Sequence, residues 1–98
     1  MPTLLELYSN PKIAQKNAFD YLGKTAILKP STRQGKKYMI YDPNGKWIHF
    51  GQLGYEDFTK HRDEKRKDNY LRRTSNMRGN WRNNSYSPNN LSRNILWN

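Results

Sequence analysis

The chain has 98 residues, with 18 Lys and Arg against 8 Asp and Glu, giving a net charge of +10 and a pI near 10.0. That length fits one domain. A hydrophobic fraction of 34% and a mean hydropathy of −1.19 allow only a small core, yet 13% aromatic residues exceed what a disordered basic tail needs. The lack of cysteine excludes disulfides and thiolate zinc sites, and no apolar run approaches the ~18 residues of a membrane span. With no basic-then-apolar leader, a non-secreted protein in a reducing compartment is expected.

Thr3-Leu4-Leu5-Glu6 has the spacing of a capping box and predicts a short first helix. Asn10 as N-cap, Pro11 at the first helical position and Gly23 as an αL terminator predict a second. Ala14, Ala18, Tyr21 and Leu22 share one face of it, a packing seam. Thr25-Ala26-Ile27-Leu28-Lys29 reads as a strand stopped by Pro30, with Ser31 to Lys36 as the loop into the next strand.

Residues 37–73 join the clearest hairpin to the most charged run. In Asp42-Pro43-Asn44-Gly45-Lys46, Pro43 and Asn44 suit a type I turn and Gly45 the αL residue of a G1 bulge. The register then pairs Tyr41 with Trp47, Ile40 with Ile48, Met39 with His49 and Tyr38 with Phe50. One face carries Tyr38, Ile40, Ile48 and Phe50 and is the expected core face. The other, with Tyr41 and Trp47, is expected either under the C-terminal tail or against a partner.

After the turn at Gly51-Gln52-Leu53-Gly54, a helix is expected from Tyr55 or Glu56 to about Thr74, broken near Asp63. Its apolar anchors are Tyr55 with Phe58 and Tyr70 with Leu71; Asp63 with Lys67 and Asp68 with Arg72 have favourable i,i+4 spacing. Residues 75–98, rich in Asn, Arg and Ser around Met77, Trp81, Tyr86, Leu91, Ile95, Leu96 and Trp97, read as an irregular arm packed on the domain of residues 1–74. The arm either straps over Tyr41 and Trp47 or offers Trp81, Arg82 and Tyr86 as a stacking surface.

Three phrases, WIHFG (from Trp47), GYEDFTKH (from Gly54) and SPNNLS (from Ser87), resemble a family of short basic proteins encoded by large nucleocytoplasmic DNA viruses. The resemblance spans residues 33–97. It implies a viral setting, the virion, the viral factory in the host cytoplasm or the host nucleus, and brings no catalytic residue.

No phosphate-binding glycine loop, nucleophile elbow or Ser-His-Asp pattern is present. His49 and His61 have no Cys or tight carboxylate cluster at ligand spacing, so neither metal nor cofactor is expected. The fold class is α+β: N-terminal helices, a small antiparallel meander, a basic helix and an aromatic-bearing arm. The leading expectation is a non-enzymatic viral protein that binds nucleic acid, DNA ahead of RNA, without sequence preference. Its contacts are Lys36, Lys37, Lys60, Arg62, Lys65, Arg66, Arg73, Arg78, Trp81 and Arg82. The alternative is a minor capsid or virion component meeting acidic protein surfaces. Third is a metal-dependent nuclease using Asp57, His61, Asp63 and Glu64.

Overall fold

Local capping starts the chain as its spacing predicts. In the computed structural model, which describes residues 3–98, the Thr3 hydroxyl accepts from the Glu6 N–H at 3.2 Å. The Glu6 carboxylate in turn accepts from the Thr3 N–H at 3.0 Å, opening α1, Leu4–Tyr8. The Asn10 side chain accepts from the Lys12 and Ile13 N–H groups to open α2, Pro11–Leu22. Gly23 ends α2 at φ +101°, ψ 168°, an extended mirror-region turn and not the αL cap expected; its N–H still reaches the Phe19 carbonyl at 2.8 Å.

Three antiparallel strands follow in the order β1-β2-β3: β1 Leu28–Pro30, β2 Lys36–Tyr41 and β3 Trp47–Gln52. β1 is displaced from the expected Thr25 to Lys29 and contains Pro30, opposite Tyr38. It is an edge strand, where a residue without an N–H is tolerated. The hairpin register is the one the turn dictates, Tyr41 with Trp47 through Tyr38 with Phe50. Gly45 has φ +81°, and the Asp42 carboxylate accepts from the Asn44 and Lys46 N–H groups.

Tyr38, Ile40 and Phe50 are buried and meet Ala14 and Ala18 of α2. Two alanines bring the helix close but leave the rest of this face to be filled, and Leu91, Ile95 and Leu96 fill it. The C-terminal segment therefore folds back on the core face, not across Tyr41 and Trp47. Those two rings meet edge to face at 5.1 Å and stay 42% and 37% exposed, their polar tips near water. The segment is also more regular than expected: a 3₁₀ turn at Trp81–Asn83, α5 at Pro88–Leu91 and a π-helical turn at Ser92–Leu96.

The charged run forms two helices, α3 Phe58–His61 and α4 Glu64–Ser75. The start lies later than Tyr55, because Asp57 is the N-cap: its carboxylate accepts from the Thr59 N–H at 3.0 Å. The break falls where expected. Arg62 takes φ +57°, and Asp63 caps α4 by accepting from the Lys65 and Arg66 N–H groups. The molecule is thus an α+β fold, and its radius of gyration, 12.7 Å, agrees with the roughly 12.6 Å expected of a compact chain this long.

Candidate nucleic-acid interface

The charges fall into two groups, one locked inside the fold and one left free. Lys37 belongs to the first, which corrects its place among the expected phosphate contacts. Its side chain is 3% exposed, and its ammonium donates to the Asp57 carboxylate at 2.9 Å and to the Tyr8 carbonyl at 3.3 Å. Burial lowers the Lys37 pKa against the raising effect of Asp57. The Thr59 hydroxyl donates to Asp57 and accepts from the Asn10 N–H at 2.9 Å. With that proton committed, Ser9 donates to Thr59 at 3.0 Å and Tyr38 donates to Ser9 at 2.8 Å. This directed chain joins the α1–α2 junction, β2 and α3. Burial raises the Tyr38 pKa beyond the ordinary phenol range.

Asp57, His61, Asp63 and Glu64, the residues of the nuclease alternative, do not gather. Asp57 and Asp63 are helix caps. The His61 Nδ1 accepts from the Asp63 N–H at 2.9 Å, which leaves the ring proton on Nε2, a buried atom with no hydrogen-bond partner. That ring lies 5.2 Å from Trp97, and burial, followed by the charge of Arg66, lowers its pKa. Among the described residues, no three His, Cys, Asp or Glu side chains converge on a point that could hold a metal.

The second group lies on α4, which carries five Lys and Arg against Glu64 and Asp68. The expected pairs Asp63–Lys67 and Asp68–Arg72 do not form; among the described residues the ion pairs are Lys16–Asp20 and Lys37–Asp57. Asp63 is turned to the helix end, and the Lys67 ammonium lies 4.6 Å from the Phe58 ring centroid instead. Exposed i,i+4 pairs gain only about 0.5 kcal/mol or less, so spacing alone does not decide which of them form: Lys16–Asp20 closes at 3.0 Å and the two expected on α4 do not. The α4 cations therefore have no carboxylate partner. The helix is held by Tyr70 stacked on Trp97 at 4.2 Å and by Arg93, which donates to the Leu71 carbonyl at 2.7 Å and the Thr74 hydroxyl at 2.6 Å. Tyr55, an expected anchor, is not one: it is 66% exposed.

Arg66, Asn69, Tyr70 and Arg73 recur at i, i+3, i+4 and i+7, so they share one face. This face forms a wall of a cleft of about 720 Å³, with Phe50, Gly51 and Leu96 among its lining and Lys36, Gln52 and Tyr55 from the sheet end and the following loop. Met77, Asn89 and Glu56 also border it. Gly51 is required there. It has φ +78°, and a Cβ would stand 2.8 Å from the Leu96 side chain.

Of the ten expected contacts, the cleft gathers Lys36, Arg66 and Arg73, together with Lys37, whose ammonium is already committed to Asp57. Lys65 is exposed on α4, Arg78 on the following loop, and Lys60 beside a separate hollow with Glu6 and Lys12. Arg62 lies over the Phe58 ring at 4.2 Å. Trp81 is not a free stacking platform. Its indole N–H donates to the Met77 carbonyl at 2.9 Å, and the guanidiniums of Arg82 and Arg93 sit 4.3 and 5.5 Å from its ring. Arg82 also donates to the Ser75 carbonyl. Sequence reasoning missed Tyr55, Gln52, Asn69 and Asn89 as lining residues. The signal for Tyr55 was its place right after Gly54, in a turn where an aromatic ring has no strand or helix to bury it.

The fold explains the SPNN phrase structurally. Ser87 caps α5, and the Asn90 amide donates to the carbonyls of Trp81 at 2.7 Å and Asn84 at 3.0 Å. Asn89 donates to the Thr74 carbonyl at 3.3 Å.

No curated protein and no solved structure matches the chain. Residues 26–74 match the model of a family described as a family of unknown function (DUF5754), a stretch that holds all three strands, α3, nearly all of α4 and the cleft residues Lys36, Tyr55, Arg66 and Arg73. With half of its length so matched, the chain belongs to that family of unknown function.

Proposed function

We propose that the protein binds nucleic acid without sequence preference, through the cations of α4 and the cleft beside it. The observation that carries this reading is the set of α4 Lys and Arg side chains with no carboxylate partner, on a chain of net charge +10. Unpaired cations on one helix, joined by Lys36 across the cleft, form a field that attracts phosphates, and binding releases the cations condensed on the nucleic acid. The role is non-enzymatic, and in the viral setting that the sequence resemblance implies, the partner is viral nucleic acid in the virion, the viral factory or the host nucleus.

Fluorescence anisotropy of labelled duplex and single-stranded DNA, titrated at several salt concentrations, tests it. On duplex DNA, the logarithm of affinity is expected to fall with the logarithm of salt with a slope corresponding to ~4–7 neutralised phosphates. Reversing Lys65, Arg66 and Arg73 to Glu weakens all sequences alike and flattens the slope. Micromolar protein that binds neither form at ~50 mM salt overturns the reading.

A virion structural role has one observation of its own. Tyr41 and Trp47 leave an aromatic patch on the outer sheet face, where Lys29 lies 5.8 Å from the Trp47 ring centroid. Tight association with an acidic virion protein, lost on Trp47→Ala while nucleic-acid binding is weak, would establish that reading in place of the first.

A further inference from the structure

We infer that the cleft beside α4 takes an unstacked base of a single strand, with Tyr55 as its stacking surface, so that the protein binds single-stranded nucleic acid in preference to duplex. This rests on the nucleic-acid reading above and adds the form of the partner.

The cleft holds what a nucleotide needs and a duplex cannot use. Its volume, about 720 Å³, lies in the range of ligand sites, roughly 300–1,000 Å³. The apolar lining that stays accessible comes from Met77, which is exposed, and from the half-buried Tyr70 and Trp97, with the core residues Phe50 and Leu96 behind them. A duplex presents phosphates outward and keeps its bases stacked, so it has nothing to bury there. A splayed base does.

Among the described residues, Tyr55 is the most exposed of the large hydrophobic side chains, 66%, and it borders this concavity with no aromatic partner or hydrogen bond among them to hold its ring. Trp81, the other candidate, is already covered by two guanidiniums. Arg66 and Arg73 are seven residues apart on one face, about 10.5 Å along the axis, with Asn69 between them. A strand running along α4 meets a cation on each side of the inserted base, while the Asn69 and Gln52 amides and the Glu56 carboxylate supply donors and acceptors for a base edge. Stacking with mixed polar groups is tolerant of sequence.

The test uses the full chain and four labelled probes: single-stranded DNA and RNA of one mixed sequence, and the matching duplexes, at ~50 mM salt. Single strands of one or both sugars are expected to bind more tightly than duplex. Tyr55→Ala is expected to weaken single-strand binding roughly 5- to 150-fold, the range of one aromatic–base stack, and to leave duplex binding unchanged. Tyr55→Phe, which keeps the ring, restores affinity. Since Tyr55 is exposed, thermal melting of both variants is expected to match the parent chain. Equal affinity for single strands and duplex, or a Tyr55→Ala loss shared by both, overturns the inference while leaving the nucleic-acid reading in place. Absence of binding to all four probes overturns both.

Discussion

Lys37 and Asp57 bury opposite charges in a core with little apolar material to spare, and the pair is sustained by further hydrogen bonds, from the Lys37 ammonium to the Tyr8 carbonyl and from the Thr59 N–H to the Asp57 carboxylate. Removing one partner is therefore worse than removing both. Asp57→Asn is expected to destabilise the protein by roughly 3–5 kcal/mol, because it strands a buried ammonium. Adding Lys37→Met to it should recover most of that loss, since Asn still caps α3. Denaturant titrations of the single and double variants check this, and an Asp57→Asn midpoint equal to that of the parent would contradict it. His61 makes a second residue-scale case. Its folded-state pKa lies below the ordinary histidine value, through burial and then Arg66, so below about pH 6.5 the unfolded chain binds a proton that the folded chain refuses. Stability contributed by neutral His61 is present above that pH and lost as pH falls through the folded pKa. His49 is shifted the same way, by burial, Arg33 and Lys36, so the parent is compared with His61→Gln and not with a flat line. The variant's melting temperature is expected to fall less steeply from pH 7 to pH 5; parallel curves would mean that His61 is not protonation-sensitive in the fold. Gly51→Ala completes the set. A Cβ at φ +78° against Leu96 should destabilise by about 1–3 kcal/mol, read from melts.

At the scale of elements, the parts legible in the sequence are those whose instructions are local. The Asp42 to Lys46 turn carries its own register, and Thr3, Asn10 and Pro11 mark helix starts within four residues of where they act. What escaped was set by distant partners. Asp57 caps α3 while its carboxylate binds Lys37, twenty residues earlier, so the helix starts there and not at the acidic Glu56. Leu91, Ile95 and Leu96 lie in a stretch whose Asn and Ser content reads as irregular, yet the unfilled face of Tyr38, Ile40 and Phe50 supplies the packing that orders them. Trp81 looked like a stacking ring because its own Arg82 and the distant Arg93, which cover it, cannot be placed without the fold. The C-terminal segment is consequently part of the core. A truncation after Thr74 is expected to aggregate or lose its cooperative melt, having removed three buried apolar side chains and the Arg93 contact to α4. A monomeric truncated chain with the parent's melting temperature would contradict that packing.

Across the whole molecule, charge is sorted by place. One pair is inside and fixes the fold, while the α4 cations remain outside, unpaired, beside a concavity lined by Tyr55, Asn69 and Arg73. The family match covers the strands and the basic helix but ends at residue 74, so the C-terminal segment that completes the cleft, through Asn89, Leu96 and Trp97, lies outside the matched stretch. The opposite sheet face, with Tyr41 and Trp47, is a separate surface, and the two are distinguishable by where a bound oligonucleotide leaves its mark. The most direct measurement is a backbone amide NMR titration of the full chain with a short single-stranded oligonucleotide at low salt. Shifts are expected to concentrate at Gln52, Tyr55, Asn69, Arg73 and Asn89, with Tyr41 and Trp47 little changed. Shifts confined to the outer sheet face, or none at a saturating excess of oligonucleotide, would contradict the assignment of the cleft.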